Sequence, residues 1–190
     1  MSTAKPVFDE KRDNYWGDPS APVEVIQYGD FQCPHCADVY PVIKSLQEKM
    51  GRRMKFIFRH YPQPVLHPLS LDAAVAAEAA AIQDKFWHMH DIIFENQKYL
   101  TRSSLGHFAQ EIELNAEIFE DSREHKKLFH KVISDYETGV KGGVDGTPTF
   151  FIDGRRYNGF HDLDSLYKTC RYVWTCKTVF PEIQELPANL

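Results

Sequence analysis

Cys33-Pro34-His35-Cys36 is the stretch of this chain best suited to chemistry. A cysteine thiolate attacks a disulfide sulfur, and a second thiol three positions on can attack the mixed disulfide that forms. Cys33 falls where a helix is predicted to open. There the unpaired N–H groups of the first turn and the helix dipole favour a negative sulfur. His35, when protonated, adds a cation next to it. Cys33 therefore reads as the outer nucleophile and Cys36 as the buried resolving thiol, with Phe31 an apolar contact beside them. The same spacing supplies half of a zinc site, so a metal-binding interaction module is a rival. Against it, His88 and His90 are two apart and His125 and His130 five apart, and no His-x3-His pair joins the cysteines. Neither a metal nor any cofactor beyond the Cys33–Cys36 disulfide is expected.

These residues need a strand to deliver them and a helix to hold them. Val23 to Tyr28 is short, β-branched and nearly apolar, which suits a buried strand. Cys33 to Met50 has helical apolar spacing at Val39, Val42, Ile43 and Leu46. Pro34 lies near the first helical position, where a missing N–H costs nothing, and Gly51 ends the run. Pro41 is inside and is expected to kink it. Met54 to Arg59 reads as the next strand. The resulting βαβ unit places the dithiol beyond the C-terminal edge of its first strand, where open α/β sheets carry their sites.

Beyond it, Pro62, Pro64 and Pro68 interrupt the chain. Helical patterns follow at Leu71–Gln83, Phe86–Phe94, a segment capped by Ser103 or Ser104 and running to Glu111, a segment capped by Asn115, and a long or broken helix over Glu117–Val140. Strand chemistry returns at Thr147–Ile152. Asp153-Gly154 is a hairpin signal, Arg155–Phe160 the partner strand, and Ser165–Thr178 a last helix capped by Asp162 or Asp164. The expected organisation is an N-terminal arm (1–20), an α/β domain in two parts (21–64 and 141–180), an all-helical insertion (65–140) and a C-terminal tail (181–190).

Of the 190 residues, 43% are hydrophobic and 26% charged, with a formal net charge of −5. That suits a chain able to bury a core. There is no dense basic block to suggest nucleic acid, no apolar run long enough for a membrane span, and no visible signal peptide. As written, the chain is expected in the cytoplasm, or in the periplasm if a leader has been trimmed. Four cysteines are few for a disulfide scaffold. Cys170 and Cys176, six apart in a predicted helix, read as buried free thiols, with a bridge possible only if the helix ends between them.

Several stretches together resemble the thioredoxin superfamily, in its DsbA-like branch. They are Asp18-Pro19-Ser20-Ala21-Pro22-Val23, Asp30-Phe31-Gln32-Cys33-Pro34-His35-Cys36, Pro41, Phe86-Trp87-His88-Met89-His90-Asp91, and Gly143-Val144-Asp145-Gly146-Thr147-Pro148-Thr149-Phe150. The resemblance implies a thioredoxin fold of the α/β class, a mixed central sheet flanked by helices, with the all-helical domain inserted. It implies a Cys33 nucleophile, a Cys36 resolver and a cis Pro148 beside them, the Thr147 backbone meeting an extended substrate as an added strand would. It also draws His67 toward the site. The substrates would be thiol- or disulfide-containing proteins or peptides. A recycling partner such as glutathione or a thioredoxin-type system would restore the dithiol.

Two departures stand out. Gln27 occupies the position, six before the first cysteine, where many thioredoxin-like proteins carry a buried acid; Glu24 and Asp30 are the nearest acids in sequence. The visible sequence also lacks an export signal. Pro34-His35 points to an oxidising couple and cytoplasmic residence to a reducing one, so both directions of exchange stand at this level. A glutathione-linked transferase or isomerase of the same superfamily is the other alternative, although such proteins usually lack the second cysteine.

Overall fold

A computed structural model describes residues 4–179. The expected tail (181–190) lies outside the described residues. The elements run β1 (Asn14–Trp16), β2 (Val23–Gly29), α1 (Pro34–Met50), β3 (Met54–His60), α2 (Ser70–Ala81), α3 (Phe86–Glu95), α4 (Arg102–Glu111), α5 (Ala116–Glu124), α6 (Lys126–Lys141), β4 (Thr149–Ile152), β5 (Arg155–Arg156) and α7 (Leu163–Val179).

The five strands form one mixed sheet in the order β1-β3-β2-β4-β5. β2 and β3 run parallel, with Val25 opposite Phe56 and Gln27 opposite Phe58. β1, β4 and β5 pair antiparallel. Strand alternation divides the core between the two faces. Val23, Val25, Phe56, Phe58, Phe150 and Ile152 join the large cluster built with α1, α7 and the inserted helices. Ile26, Tyr28, Ile57 and Phe151 face the other way, toward Tyr61, Val144 and Tyr136 of α6. The central strands are covered on both faces, which is why they are apolar almost throughout.

The N-terminal arm is more than a tail. Residues 14–16 add an edge strand to β3. The preceding Asp13 is buried against Arg59, at 2.8 Å, so the attachment is ionic as well as apolar. The partner strand expected over Arg155–Phe160 shrinks to Arg155–Arg156. After it the Tyr157 hydroxyl donates to the Phe160 carbonyl at 2.9 Å, and the chain folds over its own ring. A Cβ on Gly159 would collide with the buried Tyr157 ring and hydroxyl, so this close turn favours glycine. Asp153 and Gly154 both take positive φ (55° and 73°), the pattern of a type I′ hairpin turn.

Helix α4 is capped by Thr101, not by Ser103 or Ser104; Ser104 is the reciprocal partner in a capping box. Asn115 caps α5 through the Ile118 amide, as its position predicts. The stretch Glu117–Val140 is a broken pair, divided at His125, whose ψ of 118° is extended. α7 is continuous from Leu163 to Val179 and contains both Cys170 and Cys176. Six helical steps separate them by about 9 Å of rise, beyond the roughly 7 Å limit for a disulfide, and both are free.

Candidate active site: a dithiol at the end of the second strand

β2 ends at Gly29, and Asp30 to Cys33 form the turn into α1, closed by the Cys33 amide on the Asp30 carbonyl at 3.1 Å. Cys33 is the residue before the helix, in extended conformation (φ −70°, ψ 122°), and Pro34 opens the helix. The Cys33 carbonyl accepts the first helical amides, from Cys36 at 3.1 Å and Ala37 at 3.2 Å. Cys33 is 4% exposed and Cys36 wholly buried.

Both sulfurs are free thiols with very different acidities. Cys33 is lowered from an ordinary 9.0 to about 5, first by a hydrogen bond from the Cys36 thiol. The Thr147 side chain and the amides of Cys36 and His35 add to this, and together they outweigh burial, which acts in the opposite direction. The Thr147 hydroxyl is buried and has no hydrogen-bond partner among the described residues, so it acts on Cys33 as a nearby polar group. As a thiol, Cys33 donates to the Thr147 carbonyl at 3.3 Å. Cys36 is pushed well up, by burial first and then by the neighbouring Cys33 sulfur. At neutral pH the pair therefore holds one thiolate and one protonated thiol.

The peptide bond between Thr147 and Pro148 is cis, and both residues line an open cleft of about 440 Å³ together with His35, Asp38, Val39 and His161. The His35 imidazole points to solvent, 81% exposed and 3.9 Å from Asp38. What His35 gives the Cys33 sulfur is its backbone amide, a correction to the cation expected there. Phe31 is buried, stacked on Phe58 with centroids 5.1 Å apart and packed against Phe94 and His90. It lies beside the dithiol as expected but supports the turn from beneath, with almost no exposed surface for a substrate to touch.

Gln27 is buried on β2 between its strand partners Phe58 and Phe150. Neither nearby acid replaces it. Glu24 pairs with Lys55 at 3.8 Å near the other end of the strand. The Asp30 carboxylate is taken up by the amides of Gln32 (2.8 Å) and Gln63 (3.0 Å) and by His67 Nδ1 (2.8 Å). His67 thus lies beside the site by latching the proline-rich loop to the turn. Gln32 strengthens that latch by accepting the Leu69 amide at 2.7 Å. From the inserted helices, Gln97 reaches the same turn and donates to the carbonyls of Phe31 and Cys33, both at 2.9 Å. Sequence spacing carries no sign of Gln97 or His161, since both arrive from distant segments.

A second polar cluster lies in the interior. His60, Glu78 and Asp135 bring ligand-type atoms within 4.8 Å of one another. Lys131 Nζ lies 2.6 Å from Asp135 and 3.4 Å from Glu78, so its ammonium already supplies the positive charge these carboxylates need. Burial pushes Glu78 up, but the hydrogen bond with His60, the charge of Lys131 and the Asn14 amide outweigh it and hold the carboxyl below its ordinary range.

A family model described as thioredoxin matches residues 9–170. Among curated relatives, the Na(+)/H(+) antiporter NhaA 3 of Salinispora tropica is 32% identical over 174 residues, 92% of this chain and 26% of that protein. The NhaA 1 antiporter of Mycobacterium sp. (strain KMS) is 36% identical over 170 residues, 88% of this chain and 28% of that protein. The chain thus spans about a quarter of the length of these relatives. Among solved structures, oxidised BdbD from Bacillus subtilis superposes with a TM-score of 0.80 at 23% identity, covering 91% of this chain and 97% of that one. The thiol-disulfide exchange protein alpha-DsbA2 from Wolbachia pipientis gives 0.78 at 24% identity, covering 86% and 88%. At these identities the likeness to the solved structures is one of fold.

Proposed function

The chain belongs to the thioredoxin family, and from that premise we propose that it exchanges disulfides with protein or peptide thiols through Cys33 and Cys36. The observation that carries this reading is the asymmetry of the pair: one sulfur lowered to about 5, the other buried and protonated one helical turn away.

In the reducing direction the Cys33 thiolate attacks one sulfur of a substrate disulfide. The substrate S–S bond breaks, a Cys33 mixed disulfide forms, and the other substrate sulfur leaves as a thiolate. Cys36 then gives up its proton to the departing sulfur and attacks Cys33, forming the Cys33–Cys36 disulfide and releasing the second substrate thiol. In the oxidising direction the same steps run backwards. A substrate thiolate attacks Cys33 of the disulfide and Cys36 leaves, taking a proton as its burial demands. A second substrate thiolate then resolves the mixed disulfide. Two electrons pass through the cysteines themselves. The cleft of His35, Asp38, Pro148 and His161 would receive the peptide, with the Thr147 backbone alongside.

The stabilised Cys33 thiolate favours the reduced form of the pair. That raises the potential and suits donation of the disulfide to substrate thiols. Redox titration against glutathione, repeated with Cys33→Ser, tests the reading. A potential near about −120 mV marks an oxidant and one near about −270 mV a reductant. The absence of any two-electron couple would sink it. The likeness to part of the Na(+)/H(+) antiporters adds no transport step to this proposal.

A further inference from the structure

Glu95, Asp91 and Gln97, on α3 and the turn after it, make polar contacts with α1 or with the turn before it. Tyr40 Oη donates to Glu95 at 2.8 Å and Lys44 pairs with Asp91 at 2.7 Å, both on the body of the helix. The third differs in kind. Gln97, half-buried in a 3-10 turn that follows α3, uses both hydrogens of one amide on two carbonyls of the catalytic turn, Phe31 and Cys33. A carbonyl follows its peptide plane, so the bond to the Cys33 oxygen restrains ψ of Cys33, and the bond to Phe31 restrains the plane two residues earlier. Those rotations set where the Cys33 sulfur stands relative to the amides of His35 and Cys36 and to Thr147. We infer that Gln97 is a positioning residue for the dithiol: delivered by the insertion, its amide holds the Cys33 sulfur over the start of α1 and presents the positive end of its own dipole to that turn.

This rests on the thiol-disulfide reading and adds to it a role for the inserted domain in tuning the pair. Gln97→Met keeps length and volume but removes both donors. Gln97→Glu sets a carboxylate against two carbonyl oxygens and beside the thiolate. Tyr40→Phe is the control, cutting a bond between the insertion and α1 that does not touch the turn. The measurements on the full-length protein are the pH profile of Cys33 alkylation, resolved by peptide mass, and the equilibrium with glutathione. Asp30, His35, Asp38, His67 and His161 surround the turn and are unchanged in all three variants.

Loss of the neutral Gln97 amide in Gln97→Met is expected to reduce the Cys33 thiolate fraction about threefold below its midpoint and to shift the glutathione equilibrium toward the protein disulfide by a similar factor. Gln97→Glu is expected to do more, because a like charge disfavours the thiolate, and Tyr40→Phe to leave both readings unchanged. Lower melting temperatures in both Gln97 variants, with alkylation profile and equilibrium unmoved, would overturn the inference and leave Gln97 a tie between domains. A parent protein with no measurable couple would instead overturn the thiol-disulfide reading itself.

Discussion

The Cys33 sulfur lies 3.3 Å from the carbonyl oxygen of Thr147, a residue 114 positions later in the chain. The sheet makes this meeting possible. β2 delivers the dithiol turn and β4 pairs beside it, Tyr28 opposite Thr149, so the segment before β4 must pass the start of α1. The Thr147 hydroxyl, buried and without a hydrogen-bond partner among the described residues, comes with it and can donate to a Cys33 thiolate.

Thr147→Val removes that hydroxyl and keeps the backbone and the branched shape. A hydrogen bond to a charged group is worth roughly 1.5–3 kcal/mol and one pKa unit is 1.36 kcal/mol. The Cys33 midpoint is therefore expected to rise by about one unit or more. Thiolate absorbance across pH measures this, and an unmoved midpoint would assign the lowering to Cys36 and the helix amides alone.

The alkylation rate of Cys33 in the reduced protein is expected to be half-maximal near pH 5, with Cys36 unreactive until the fold is lost. The linkage has a definite sign. The folded value of about 5 lies below the ordinary 9.0, so the contribution to folding is complete above pH 9 and is lost as pH falls through 5. Denaturant melts of reduced protein against Cys33→Ser should diverge steadily between those limits. Parallel curves would contradict the lowered acidity.

Asp13 and Arg59 form a buried ion pair, their side chains 0% and 1% exposed. Removing one member leaves the other charge uncompensated, so Asp13→Ala should cost about 3–5 kcal/mol of stability. The Cys33 alkylation profile should not move, because this pair anchors the N-terminal segment to the opposite face of the sheet. Equilibrium unfolding in urea and the same alkylation assay give both readings.

Asp30→Ala leaves the amides of Gln32 and Gln63 and the His67 ring without their acceptor. The expected cost is about 1–3 kcal/mol. It should be accompanied by faster proteolytic cutting between residues 62 and 69, where the loop has lost its latch. Intact resistance in that loop would show that Gln32 and Leu69 hold it unaided.

Cys170 and Cys176 should both be recovered as free thiols after air oxidation and denaturing alkylation, while Cys33 and Cys36 are recovered as a disulfide. Burial pushes Cys170 up to about 12, which removes its thiolate at neutral pH. A Cys170–Cys176 bridge detected by mass spectrometry would require α7 to break between them.

The sequence alone determined the features that depend on neighbours along the chain. The dithiol spacing places two sulfurs on one turn of helix. Pro34 suits only the first helical turn, and the apolar run Val23–Tyr28 can be buried only as a central strand. Tertiary structure alone decided the rest. It brought Thr147, His67 and Gln97 onto the dithiol turn and His161 into the cleft beside it, sent the His35 imidazole into solvent, converted Tyr15 and Trp16 into an edge strand and cut β5 short at a glycine turn. Periodicity and turn chemistry are written residue by residue. Which distant groups share a site depends on strand order and on how an insertion packs, and neither leaves a mark in local spacing.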